Sequence, residues 1–110
     1  MKRVIVESPY AGDIEENLRY LRACMADFLS RGEAPFASHG LYTQPGVLRD
    51  DVPEEREAGI QAGFAWRNAA ERTVVYTDLG TSRGMDYGIK HAEKLGHEIE
   101  YRRLFGEWSR

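Results

Sequence analysis

Three carboxylates stand where an apolar run or a glycine turn ends. Glu7 closes one run, Asp78 closes another, and Asp86 follows the turn Gly80-Thr81-Ser82-Arg83-Gly84. Facing one crevice, such groups would suit glycosidic chemistry. One carboxylate attacks or stabilises an oxocarbenium-like carbon while another protonates the leaving group. The turn adds a second capability. A strand, a glycine turn and a helix in succession gather free backbone N–H groups at the positive end of a helix dipole, a cradle for a phosphate, carboxylate or sugar oxygen. Gly80, Ser82, Arg83, Gly84 and Met85 are its ligand-binding candidates. Plainer roles compete with these. An acid such as Asp86 is favoured in any first helical turn, Asp78 suits a turn, Thr81 or Ser82 can cap the helix, and Arg83 can be a solvated surface arginine. The spacing lacks the Lys-Ser/Thr of a Walker loop and is not G-x-G-x-x-G, which argues against a nucleoside-triphosphate hydrolase.

Two further loops carry polar candidates. Ser8-Pro9-Tyr10-Ala11-Gly12 interrupts the first apolar run, and His39-Gly40, with Tyr42 beyond it, follows a second. Ser8, Pro9, Tyr10, Gly12, His39 and Tyr42 are therefore placed at a predicted mouth. Tyr10, Tyr42 and Trp66 suit stacking on a base, although a small core accounts for Trp66 equally well. Ser8 has no G-x-S-x-G context. No pair of histidines shares metal-ligand spacing, so neither a metal site nor a cofactor is expected, and His91 and His97 are read as surface. The single Cys24 lies beside an apolar helix face and reads as a small hydrophobe rather than a nucleophile.

The elements that must position these residues follow from periodicity. Val4-Ile5-Val6 predicts a short strand covered on both faces. Asp13 to Glu16 has the pattern of a helix start, and Ile14, Leu18, Leu21, Met25, Phe28 and Leu29 recur on one helical face before Gly32. Ala34 to Ser38 predicts a weaker strand, and residues 39–50 a substrate-covering loop. Asp51-Val52-Pro53-Glu54 starts a helix reaching about Ala69, with Ile60 and Phe64 facing inward. Its row of small residues, Ala58, Gly59, Ala62 and Gly63, implies close approach of a strand, a second subunit or a ligand. Thr73 to Thr77 is a buried strand. Met85, Ile89, Ala92 and Leu95 then share a helix face, and His97 to Tyr101 alternates like a last strand. The tail Leu104-Phe105-Gly106-Glu107-Trp108 is expected to cover an edge or meet another subunit. Alternating strands and helices imply an α/β fold with a parallel sheet. With strand order 2-1-3-4, loops 7–12 and 78–84 converge near His39.

Size and charge bound the function. The chain's 110 residues suit one domain, and its net charge of -3 argues against a general nucleic-acid binder. No apolar segment approaches the roughly 20 residues of a membrane span. The start Met1-Lys2-Arg3-Val4-Ile5-Val6-Glu7 is too quickly acidic for a signal peptide, and the lone cysteine fits a reducing cytoplasm.

Taken together, S-P-Y-A-G (8–12), A-P-F-A-S-H (34–39), P-E-E-R-E (53–57), the S-x-G-M turn (82–85) and H-A-E-K-L-G (91–96) resemble the nucleoside 2-deoxyribosyltransferase-like superfamily. The closest likeness is to its small uncharacterised phage and bacterial domains. The resemblance covers about Val4 to Tyr101 and implies one such domain over residues 1–110. It implies a three-layer flavodoxin- or Rossmann-like fold with helices on both faces of the sheet, a nucleoside or nucleotide pocket, and a homo-oligomer whose neighbour completes each site. It also implies a catalytic glutamate four residues before the helix alanine matching Ala92, where this sequence has Gly88. Counted forward from Met85 the acid is Asp86, with Asp78 as its helper after a shift of register. Three readings stand open: transfer or cleavage of an N-glycosidic bond, a non-catalytic nucleotide sensor or sequestering protein, and a protein-interaction domain.

Overall fold

The computed structural model describes residues 1–105. Four strands, β1 (Lys2–Glu7), β2 (Glu33–Phe36), β3 (Arg72–Tyr76) and β4 (Glu98–Arg102), form one parallel sheet in the order β2-β1-β3-β4. Four helices connect them: α1 (Ile14–Ser30), the short α2 (Ser38–Leu41), α3 (Pro53–Arg67) and α4 (Arg83–Lys94). This is the α/β fold expected from the alternation of elements, in the expected strand order.

Strand alternation decides what faces each side of the sheet. Val4, Val6, Val74 and Tyr76 pack with Tyr20, Leu21, Cys24 and Phe28 of α1. On the opposite face Val75 packs with Met85 and Ile89 of α4, against Ile99. Glu7 pairs in register with Val75. By the two-residue period of its strand it lies on the α4 side with Ile5, away from Val4 and Val6. A carboxylate at the end of a buried strand is thus directed into the layer beneath α4.

The helix ends follow capping chemistry. Asp13 accepts from the Glu16 N–H at 3.1 Å, and Ser82 accepts from the Met85 N–H at 3.2 Å, while Met85 sulfur accepts in turn from the Ser82 N–H. Ser82, not Thr81, is therefore the cap of α4. At the start of α3 Asp51 does not cap the helix, although the Asp51–Glu54 pattern suits a capped start. Extended Val52 precedes Pro53 without a side-chain bond, because the proline ring disfavours a helical residue before it.

Several inward assignments change. Ile14, Leu29 and Leu95 are exposed, whereas Asn17 and Tyr20 are buried on α1. Leu29 is turned about 100° from the fully buried Phe28, which takes it off the stripe. His91 and His97 are half-buried rather than surface residues. His97 Nε2 donates to the Ala70 carbonyl at 2.8 Å, leaving Nδ1 to accept from the Thr73 hydroxyl. Residues 39–50 are not a featureless loop, since α2 opens them. Leu104 packs against the α1-side core, and Phe105 is exposed. The rest of the expected edge-covering tail, from Gly106 onward, lies outside the described residues.

Candidate functional site

The C-terminal ends of β1 and β2 open into a cleft of about 940 Å³, walled by α3 and by the start of α4. Parallel sheets offer such a crevice where strand order reverses, here between β1 with its two neighbours. Of the sequence-derived ligand candidates, Ser8, Tyr10, Gly12, His39, Tyr42, Ser82, Arg83, Gly84 and Met85 line it. Pro9 and Gly80 do not. Gly80 has φ +77° and donates its N–H to the Thr77 carbonyl, so it serves a turn that needs a left-handed residue.

Neither proposed catalytic acid is brought into the cleft lining. Asp86 is exposed on the first turn of α4. Asp78 lies at the end of β3, where its carboxylate accepts from the Tyr20 hydroxyl at 2.7 Å and from the Leu104 N–H at 3.0 Å. Burial works to raise that carboxyl, but these bonds hold it below the usual carboxylate value.

The carboxylate that does line the cleft is Glu7. Arg67 Nη2 donates to its Oε2 at 2.5 Å, and Arg67 Nη1 donates to the Gly88 carbonyl at 2.7 Å and to His91 Nδ1 at 3.0 Å. Arg67 is 2% exposed. Burial pushes the Glu7 carboxyl up to about 7, with the Arg67 guanidinium pulling the other way. In the amino-acid order Glu7 is a strand-end acid. Nothing local marks Arg67 as its partner, because the pair is 60 positions apart.

Beside Glu7, Ser8 Oγ and His39 Nε2 lie 2.7 Å apart, joining the ends of β1 and β2. Burial lowers His39 to about 4, so the ring is neutral near pH 7. On the same side Phe36, Tyr42 and Trp66 cluster. Their ring centroids are 5.3 Å apart for Phe36–Trp66 and 6.1 Å for Phe36–Tyr42, and Trp66 Nε1 donates to the Tyr42 hydroxyl at 2.9 Å. Trp66 is 52% exposed, so it is not the core aromatic that sequence allowed. Phe64 stacks on His91 at 3.8 Å and presents another ring to the cleft. The row of small residues on α3 packs within the chain: a Cβ on Gly63 would meet Ser38, and one on Gly59 would touch Leu48.

Chemically, the cleft offers one buried carboxylate, a neutral hydroxyl–imidazole pair, several aromatic faces and a capped helix N-terminus. Among the described residues no group of three or more His, Cys, Asp or Glu side chains is placed to hold a metal ion. Cys24 is buried on the far side of the sheet, and burial raises its thiol far above the usual value. No helix among the described residues is long and apolar enough to cross a membrane.

A family model described as "Domain of unknown function (DUF7768)" matches residues 2–102. The chain belongs to this family. As a DUF7768 domain it shares its fold with a 2-deoxyribosyltransferase from the psychrotolerant bacterium Bacillus psychrosaccharolyticus. That solved structure superposes with a TM-score of 0.71 at 16% identity, covering 96% of this chain and 74% of the other. At this identity the likeness establishes the fold. No curated protein sequence matches the DUF7768 chain.

Proposed function

We propose that the cleft binds a nucleoside or nucleotide and that the domain acts on its N-glycosidic bond, by transfer or hydrolysis. The observation that carries this reading is the Glu7 carboxylate at the cleft floor, with aromatic rings on the adjoining wall and the α4 N-terminus opposite. A base needs flat apolar surface, a sugar needs polar partners at its hydroxyls, and an anomeric carbon needs a carboxylate. The cleft volume lies within the range of small-molecule sites. The relationship in fold to a 2-deoxyribosyltransferase supports the same class of ligand.

In this reading Ser8, Tyr10, Gly12, His39 and Tyr42 meet base and sugar. Ser82, Arg83, Gly84 and Met85 frame the end that takes an anion or hydroxyl. A homo-oligomer in a cytoplasmic setting completes the picture: exposed Tyr87 in the cleft lining, and exposed Trp66 bonded to the lining residue Tyr42, are available to a neighbouring subunit. Light scattering would measure the mass. The test of function is incubation with 2′-deoxynucleosides, their 5′-monophosphates and nicotinamide dinucleotide, followed by chromatography for released base, beside calorimetric titration of the same compounds. Base release with measurable binding is the expected result; failure of every compound to bind would overturn the reading.

A second reading is favoured by one residue. Position 88, where the resemblance implies an acid on the helix, is glycine, and a pocket without its reacting group would serve as a nucleotide sensor or sequestering module. Binding without base release is its signature.

A further inference from the structure

The Glu7 carboxylate fills the space that a side chain at position 88 would take. A Cβ built on Gly88 would fall 2.6 Å from Glu7 Cδ and 2.8 Å from Oε1, separations that real atoms do not adopt. Helix α4 therefore closes over β1 at the one buried position that carries no side chain, and the volume that a residue at 88 would claim holds a carboxylate delivered from the strand instead. Gly88 is buried and lines the cleft together with Glu7.

The carboxylate is held in one orientation from two helices. Its Oε2 is fixed by Arg67, which is itself anchored to the Gly88 carbonyl and to His91, so α3 and α4 together set its orientation. Among the described residues Oε1 has no protein hydrogen-bond partner, and it is not one of the buried, unsatisfied atoms, so this oxygen is open to the cleft. A carboxylate drawn this far out of water and paired on one side only costs folding free energy, which apolar packing at the same place would not. Such a group facing a cleft is a candidate for chemistry on a bound ligand. The other acids of the cleft stand differently. Asp50 pairs with Arg56, Glu55 accepts from the Arg49 N–H, and Asp51 and Glu57 are exposed.

We infer that Glu7 is the reacting carboxylate of this pocket, presented from β1 into the space above which α4 carries only Gly88. The inference rests on the nucleoside reading above and names the residue that would do its chemistry. Oε1 forms a bond to the anomeric carbon as the carbon–nitrogen bond breaks. The bonding electron pair leaves with the base, which takes a proton from water. A water molecule, or a second free base, then attacks the same carbon and gives up its proton to solvent, and the Glu7 carboxylate is released.

The experiment compares wild type, Glu7→Gln, Glu7→Asp and the double variant Glu7→Ala/Gly88→Glu. Base release from 2′-deoxynucleosides and their 5′-monophosphates is followed beside calorimetric binding and thermal unfolding. Expected is a loss of roughly 100-fold or more in Glu7→Gln, with binding kept within a few-fold, because the carboxyl acts on the bond rather than on recognition. The transplanted glutamate at 88 should recover part of the rate, since it restores a carboxylate to the same volume. Glu7→Asp keeps the charge opposite Arg67, guards against loss of folding, and should still lose rate by withdrawing the oxygen one methylene. A wild-type rate in either single variant would overturn the assignment. So would a wild type that binds nucleotides and releases no base, an outcome that leaves the binding pocket standing. Absence of binding in wild type would instead strike the nucleoside reading itself.

Discussion

The Tyr20 hydroxyl donates to Asp78 Oδ1 at 2.7 Å and accepts from the Asp78 N–H at 2.9 Å. One phenol thereby ties the end of β3 to α1, on the sheet face opposite α4. An acid that looks catalytic by its position at a strand end is bonded into the layer that carries the α1-side core.

Replacing Tyr20 by Phe removes both bonds and leaves the Asp78 carboxylate short of a partner. Stability should fall by about 1–3 kcal/mol, each kcal/mol lowering Tm by roughly 4–8 °C in a domain of this size. Nucleotide binding should be unchanged, because neither residue lines the cleft. Urea unfolding and calorimetry on the same preparation check both halves of the expectation.

Gly88→Ala is expected to destabilise, although alanine usually gains about 1 kcal/mol over glycine inside a helix. The added methyl can be accommodated only by swinging the Glu7 carboxylate off the buried Arg67, and stranding that guanidinium costs roughly 1–3 kcal/mol. In a Glu7→Ala background the same change should turn neutral or favourable. A double-mutant cycle reads that reversal of sign directly; equal effects in both backgrounds would show that the two residues do not compete for space.

The two glycines of α3 should respond unequally to alanine. At Gly63 a Cβ would lie 2.7 Å from Ser38 Cβ, close to backbone that cannot swing aside, and a loss of roughly 1–3 kcal/mol is expected. At Gly59 the neighbour is the far end of Leu48, 3.3 Å away, which can rotate, so helix propensity should leave the variant near neutral. Chemical denaturation of both variants side by side measures the contrast.

Acid should act through His39. Its folded value of about 4 lies below the ordinary 6.5, so between these values the unfolded chain binds the extra proton. Stability from this group is therefore present above pH 6.5, falls as pH drops through the window by at most about 1.4 kcal/mol per unit, and is spent near pH 4. Glu7, raised to about 7, acts in the opposite sense as pH falls from 7 towards 4.5. The difference between wild type and His39→Gln isolates the histidine. Parallel curves for the two proteins would refute its part.

Local pattern in the amino-acid order was enough for the architecture. Uninterrupted apolar runs at 4–6 and 73–76, the Asp13 and Ser82 caps, and glycines after two helices are signals carried by residues within a few positions of one another, and alternation of strand with helix implies a parallel sheet. The same local signals place Ser8, His39 and the 82–85 turn at the open end, where the structure gathers them around one cleft. What lay beyond them is pairing across the chain. Whether Asp78 turns toward Tyr20 or into the cleft, whether His91 meets solvent or Phe64, and whether Glu7 finds Arg67 are settled by contacts between 27 and 60 positions apart. Such contacts depend on how two layers of helices come down on the sheet, a matter of packing volume that no short window of residues contains. Gly88 shows the point most plainly: in the sequence it is a missing acid, and in the folded chain it is room for Glu7.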